Sequence, residues 1–440
     1  MSGYSSYYEK LSTTKSWGVW KFPVYRIKHT IANLLLILLV NISFLFSPGP
    51  RSGEKYCGHY IQLKSIGFYY NCDTTTYLQT AKDLGILLEE NTVRQTRPIF
   101  AVLGFLVGRP IQFFIDGIYS KHLQYIDNKY NSLNTGIKYS EIIGYFVGYI
   151  IINFIVLYLI LVFFEKVAMQ ITDGRVSNYM IYTFKYILIS GKVTKAAFSN
   201  ASTDFFILFT PVFAVFIMLY INKKMLNLKN IYYMSFLCGL LVLLYGNFML
   251  LLPCILFASY LTDKSLHIKA SIINTLLFVL PTLLWITFCT MYIGHYYNHE
   301  VESYRQFIWI VDKLKISLTE LETSFYNNTF KYASTFVELK YFIIIAFVLF
   351  GFIKAKKTEI FISNYAYIIR ILIFSFLAFF VFFWALGFYK VRLTYNLFPI
   401  VLCSVLFELS LIEDVNKWTI FIFLLAVSWH LYSIISYRLF

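Results

Sequence analysis

Apolar stretches of about 20 residues, long enough to carry a helix across a hydrocarbon core roughly 30 Å thick, recur along the whole chain. They begin near Ile31, Glu141, Val176, Asp204, Ile231, His267, Leu339, Asn364, Leu393 and Trp418. A backbone in lipid must satisfy its own N–H and C=O groups, which restricts such stretches to helices. Of the 440 residues only 14% are charged, against about 25% in a soluble chain. That is too little charge to cover several water-soluble globules, and it excludes an ordinary cytosolic enzyme. The expected fold is an all-α polytopic membrane protein.

Two segments are ambiguous on length. Pro98–Ile115 is barely long enough and carries Arg109 and Pro110, while Ile231–Leu261 is one long span or two short ones broken at Gly246-Asn247. The positive-inside rule resolves both. Lys10, Lys15, Lys21, Arg26 and Lys28 make the N-terminus cytoplasmic, and two short basic loops (Lys223, Lys224, Lys229; Lys354, Lys356, Lys357) should join it. All three fall inside only if Pro98–Ile115 does not cross and Ile231–Leu261 crosses twice. The result is about eleven spans with the C-terminus outside.

In this reading residues 1–30 are a cytoplasmic leader and 31–440 a single membrane domain. Its outer elaborations are a first loop over 49–140, the Gly191–Thr203 turn, a later loop over 293–335 and a tight Tyr389–Tyr395 turn. The run from Ile31 lacks a cleavage site and reads as a retained signal-anchor. The net charge of +15 fits Lys and Arg held at headgroups and inner loops, with no continuous basic stripe for nucleic acid. Aromatics, 20% of residues, gather at the ends of apolar runs as interfacial belts.

Cys57 and Cys72 share the first outer loop and are candidates for a disulfide, worth about 3 kcal/mol for a loop of that size; two free thiols are the other reading. Cys238, Cys254, Cys289 and Cys403 lie in apolar runs as small packing residues. After Cys72, apolar residues recur at Tyr77, Leu78, Ala81, Leu84, Leu87 and Leu88 with Gln79, Thr80, Lys82 and Asp83 opposite, the spacing of an amphipathic helix lying along the membrane. Asp73 stands at its start. Helix capping is one role for it; the sharper one is a general base just above the bilayer, bordered by Tyr69, Tyr70 and Tyr77, removing the proton of an acceptor hydroxyl.

An N-in first helix followed by a long outer loop with Tyr70, Asp73, Tyr77, Leu78 and Ala81 resembles the GT-C superfold of polyprenyl-phosphate-sugar-dependent glycosyltransferases, to which protein mannosyltransferases and lipid A aminoarabinose transferases belong. The resemblance implies a catalytic Asp in the first outer loop, hence Asp73, followed by two juxtamembrane helices, of which Arg97–Ile115 looks like the second. Ser202-Thr203-Asp204 at the outer end of a span, the stretch Gly239–Pro253, and Lys390-Val391-Arg392 ahead of Leu397-Phe398-Pro399 are similar to later family elements. Gly246-Asn247 stands where the family usually has Arg-Pro.

The implied donor carries a phosphate, for which outer arginines are the geometric match. Arg94, Arg97, Lys390 and Arg392 are the candidates, with snorkelling to headgroups as the plain alternative. Asp204 is a helix cap or a second acid near the acceptor, with Tyr70 and Tyr77. Lys185 and Arg370 read as snorkelling cations, and Arg109 faces headgroups or donor. His295-x-x-x-His299 puts two imidazoles on one helical face, an arrangement that would suit a metal, but with Glu300, Glu302 and Arg305 the stretch reads as a solvated polar loop. Trp309–Tyr332 looks amphipathic and could cap an acceptor cleft. No strong metal set is present and no cofactor is required; a divalent ion is left open.

The expectation is therefore inverting transfer of a sugar from a polyprenyl-phosphate donor to a glycan, lipid or protein acceptor, at the outer face of a bacterial inner membrane. A lipid-linked glycan polymerase would favour paired arginines in a late outer loop, which here holds only Arg305. A lipid or glycan flippase or transporter would favour two related halves, which are not seen. A structural subunit of an envelope machine would need none of these groups.

Overall fold

The computed structural model describes residues 23–47, 59–63, 66–70, 72–130, 138–222, 228–262, 268–356 and 360–436. The Cys57–Cys72 pairing and the side chains of Tyr69 and Tyr70 lie outside what is described. Helices dominate: α1 (Pro23–Leu45), α2 (Cys72–Lys82), α3 (Pro98–Tyr130), α4 (Ile143–Thr172), α5 (Asn178–Ile189), α6 (Lys192–Ala197), α7 (Phe206–Asn222), α8 (Leu228–Val242), α9 (Leu251–Thr262) and α10 (Ile268–Ile293) fill the first two thirds. The last third holds α11 (His299–Glu302), α12 (Ile308–Ile316), α13 (Leu318–Ser334), α14 (Leu339–Lys356), α15 (Ile360–Leu386), α16 (Val391–Thr394), α17 (Phe398–Leu409) and α18 (Thr419–Ser436). One element departs from the all-α expectation. An antiparallel hairpin, β1 (His59–Leu63) with β2 (Ile66–Tyr70), leads into α2, with Tyr70 opposite His59.

The exposed surface is far more apolar than that of a water-soluble fold, over a core that is itself mainly apolar. In α1, Ile31, Leu35, Leu38, Leu39 and Ile42 are exposed while Asn33 and Asn41 are buried. In α18, Ile420, Phe421 and Leu424 face outward while His430 and Ser433 face in. Apolar exposed faces of this extent match a lipid solvent, and Asn33 and His430 bond to side chains of neighbouring helices. Among the described residues seven helices are long and apolar enough to cross a membrane, or eight if the bent pair Leu318–Ser334 and Leu339–Lys354 counts as one. The protein is an integral membrane protein.

Helix α4 packs against α1, α3, α5, α7 and α17. Its contact with α3 is antiparallel and local. Phe100 packs on Tyr149 with ring centroids 4.8 Å apart, and Gln112 Oε1 accepts the Gly144 amide at 2.7 Å. The backbones meet at glycines, a Cβ on Gly148 falling 2.8 Å from the Gly108 backbone. Since α4 is about 45 Å long at 1.5 Å per residue, α3 overlies only the first third of it and then runs past its end, where Asp127 accepts the Ser140 amide at 2.9 Å. The stretch Pro98–Gly117 is itself long and apolar enough to cross a membrane.

The surface helix expected through residue 88 stops earlier. Helix α2 ends at Lys82, and the Asp83 side chain accepts the Gly85 amide at 2.8 Å, capping a separate 3-10 turn over Leu84–Leu88. An Asp two residues before a Gly competes with helix continuation through this local bond. The Gly191–Thr203 turn is not a solvent loop either. It holds α6, and Lys192, Thr194, Lys195, Ser202 and Thr203 are all buried. Lys185 does not snorkel: it is fully buried, ion-paired with Glu165 and bonded to Asn33 Oδ1 at 2.9 Å, because α1, α4 and α5 enclose it.

Candidate functional site

The first turn of α2 presents Asp73, where the positive end of the helix favours a carboxylate. The helix is held by burial of Tyr77, Leu78 and Ala81 against α3 and α4. Tyr77 packs edge-on against Phe100 at 4.8 Å and acts as a platform for two arginines. The Arg94 guanidinium lies 4.1 Å above its ring, and Arg97 donates to its hydroxyl at 3.0 Å.

Both arginines come from the irregular segment between the 3-10 turn and α3, and Gln95 fixes that segment. Buried Gln95 donates to Leu87 O at 3.1 Å, accepts the Tyr297 amide at 2.7 Å, and through its own carbonyl accepts Trp285 Nε1 at 2.8 Å. Arg94 then reaches Asp73 at 2.5 Å. Arg97 donates to Thr203 Oγ1 at 2.9 Å and to Glu300 at 2.7 Å. From the other end of the chain, Arg392 on α16 approaches Asp204 at 3.4 Å, and Ser202 Oγ donates to the same carboxylate at 3.2 Å.

These groups line one cavity of about 350 Å³. Its walls include Asp73, Tyr77, Arg94, Arg97, Asp204 and Arg392, together with Tyr245, Asn247, Asn298 and Glu300. A larger hollow of about 820 Å³ between α1, α5 and α18 has mainly apolar walls and no charged side chain. The charged cavity balances three arginines with three carboxylates, each in its own pair. Burial raises the Asp73 carboxyl, but the Arg94 charge and hydrogen bond outweigh it, helped by Arg392 and Arg97, so Asp73 titrates below its ordinary range. Arg97 titrates higher than usual: burial opposes its charge, and Tyr77, Glu300 and Tyr245 more than offset that.

Of the residues singled out in the sequence, Asp73, Tyr77, Arg94, Arg97, Asp204 and Arg392 come together here. Lys390 does not. It precedes α16 by one residue and is exposed, with Nζ 5.6 Å from the Phe388 ring, and it is not among the cavity walls. Arg109 is exposed beside Phe105, and Arg370 is exposed on α15.

Glu300 is the residue that sequence reasoning passed over. It sits in what reads as a solvated loop, and nothing local marks its pairing with Arg97, 203 residues away. The two imidazoles of that loop do not share a helical face. Helix α10 ends at Ile293, Gly294 takes φ +95, and α11 starts only at His299. His299 Nδ1 instead lies 3.0 Å from Tyr297 Oη. Helices α12 and α13 dock on the end of α15, where Trp309 Nε1 donates to Ala385 O at 2.9 Å, beside Phe307 and Leu386 of the cavity wall.

Among the described residues no group of three or more His, Cys, Asp or Glu side chains converges as a metal site. Asp73 and Asp204 line the same cavity, and each is paired with an arginine. The arrangement otherwise offers an ionised carboxylate at a cavity wall, fixed guanidinium groups, and a hydroxyl-rich rim of Ser202, Thr203 and Tyr245. Comparison with protein-family models, with curated proteins and with solved structures finds no match to this chain.

Proposed function

We propose that the chain is a membrane glycosyltransferase that moves a sugar from a polyprenyl-phosphate donor to an acceptor hydroxyl at the outer face of a bacterial inner membrane. The observation that carries this is the shared cavity. A carboxylate from the first turn of α2 and arginines from two distant parts of the chain line the same hollow. Asp73 accepts the proton of the acceptor hydroxyl as it attacks the anomeric carbon. The lipid phosphate departs with the electron pair, and guanidinium groups stabilise its charge. Positioning both reactants in one small cavity supplies much of the remaining acceleration.

The cavity also supports the expected topology by parity. The helix pairs α4–α5, α7–α8, α9–α10 and α14–α15 separate successive lining segments at Arg97, Asp204, Asn247, Phe307 and Leu386. Each segment returns to one side when each pair crosses twice and α3 does not cross. With α1, α17 and α18 this makes about eleven spans, the N-terminus inside by its basic residues. Helices α5 and α9 are short for a span, 12 residues each. Irregular backbone continues from each toward the cavity, the place where non-helical chain is tolerated at membrane depth.

The test is Asp73→Asn in the full chain, with transfer measured from polyprenyl-phosphate sugars. A lost general base lowers turnover by about 10²–10⁴-fold, while the protein should remain folded and membrane-inserted. Turnover at the wild-type rate would remove Asp73 as the base.

A further inference from the structure

The three ion pairs of the cavity are not equivalent. The Arg94 side chain is 5% exposed and meets Asp73 at 2.5 Å. Arg97 is held by hydrogen bonds to Tyr77, Thr203 and Glu300 of 3.0, 2.9 and 2.7 Å. Arg392 is 41% exposed, and among the described residues its hydrogen bonds are two long ones, 3.4 and 3.5 Å, from one nitrogen to the two oxygens of Asp204. Strong guanidinium–carboxylate bonds are shorter and use two nitrogens in a fork.

We infer that Asp204 is a resident counter-ion, which occupies Arg392 until the phosphate of a lipid headgroup displaces it. This rests on the cavity being the donor site and adds how that site admits its anion. The Arg392 backbone is anchored while its head is loose. Two and three residues on, Thr394 Oγ1 donates to Thr335 O at 3.1 Å, and the Tyr395 hydroxyl bonds to buried Glu338. Asp204 is equipped to be left behind. Ser202 Oγ still donates to it at 3.2 Å, and the N-terminus of α7 lies two residues beyond.

A phosphate offers more acceptor oxygens and at least an equal charge, so it can take the Arg392 fork in bidentate fashion where Asp204 takes a single nitrogen. An empty cavity with every arginine engaged presents no free cation to chloride or to passing headgroups. Only an anion that outcompetes an intramolecular carboxylate enters.

The experiment measures binding of a sugar-free polyprenyl monophosphate to the full chain in neutral-lipid nanodiscs, for wild type, Asp204→Asn, Arg392→Ala and the double variant. The expected result is that Asp204→Asn, which keeps the size and the Ser202 hydrogen bond, binds about tenfold more tightly than wild type. Arg392→Ala should bind more weakly than wild type, and in its background the Asn substitution should bring no gain. Equal or weaker binding by Asp204→Asn, or the same gain with and without Arg392, overturns the displacement. If wild type binds and only the Asn gain is missing, the donor-site reading survives without the latch. If no variant binds the phosphate, both fail. Thermal unfolding of each variant in the same nanodiscs separates a lost fold from a lost site.

Discussion

Arg94 meets Asp73 at 2.5 Å from a side chain that is 5% exposed, while the carboxylate it holds is 45% exposed. The arginine is therefore the fixed partner and the acid the one that faces the cavity. The pair keeps Asp73 ionised at neutral pH, the state in which it can accept a proton, at some cost in basicity.

That balance sets the pH profile. Burial raises Asp73, and the Arg94 charge and hydrogen bond more than reverse it. The acid limb of kcat/KM should thus fall below the ordinary aspartate value of about 3.9, leaving activity flat from mildly acidic pH to neutrality. Because the folded value is depressed, the stability Asp73 contributes is present above its unfolded value and is lost as pH falls through the folded one. Arg94→Gln removes the main opponent of burial and leaves only the weaker pull of Arg392 and Arg97, so the acid limb should move to higher pH. An unmoved limb in that variant would mean that Asp73 is not the titrating base.

Arg97 is a structural centre as well as a wall of the cavity, since one guanidinium joins α2, the Thr203 segment and the Glu300 loop. Arg97→Leu leaves Glu300, whose side chain is 19% exposed, without its partner ion. Loss of one member of a largely buried pair costs about 3 kcal/mol, and Arg97→Lys should recover little of it because one ammonium nitrogen cannot stand in for two guanidinium nitrogens, Nη1 on Tyr77 and Thr203 and Nη2 on Glu300. Thermal unfolding of the purified protein reads both. A Lys variant as stable as wild type would contradict the three-way role.

The sequence made the helical, membrane-embedded character of the chain legible because lipid forces long apolar helices, and it marked Asp73 and Tyr77 because α2 buries a regular apolar face. It could not show that α2 stops at Lys82, where a side-chain bond from Asp83 to the Gly85 amide wins over an apolar pattern that continues to Leu88. Nor could it pair Arg97 with Glu300 or Lys185 with Glu165, since those distances are decided only when separate helices pack. Charges that read individually as headgroup cations or solvated loop acids become a balanced set only in three dimensions.

Glu338 should control donor affinity without touching the cavity. It is 3% exposed, pairs with Lys192 at 2.5 Å and bonds the Tyr395 hydroxyl, so it ties the turn that carries Arg392 to α6. Glu338→Gln weakens both ties. The expected outcome is a severalfold rise in KM for the donor, a smaller change in kcat, and a lower Tm from a weakened buried pair. A fall in kcat alone would show that the turn does not position the donor arginine.

The crossing of α3 and α4 tolerates no side chain at Gly148, whose Cβ would lie 2.8 Å from the Gly108 backbone. Gly148→Leu forces the helices apart at a cost of about 1–3 kcal/mol. It also shifts the start of α3, which immediately follows Arg97. Both stability and transfer should drop, whereas Gly117→Leu, on α3 with open space around its Cβ, should leave both near wild type. Equal effects from the two would show that the close approach is not what matters.

Whether α3 crosses the membrane decides the topology, and single-cysteine labelling decides whether it does. Glu90 precedes α3 and Lys138 follows it, and both are exposed. If α3 lies at the outer end of α4, cysteines at both positions react with an impermeant reagent added outside, as does one at exposed Ser317. A cysteine at exposed Asp414, between α17 and α18, should react only after permeabilisation. A background without Cys57 and Cys72 keeps the signal clean, since Cys238, Cys254, Cys289 and Cys403 are buried. Labelling of Glu90→Cys and Lys138→Cys from opposite sides would mean that α3 crosses. The chain would then need one crossing fewer before Asp204 to bring Arg97 and Asp204 to one cavity, and α5, 12 residues long, is the helix that would have to give it up.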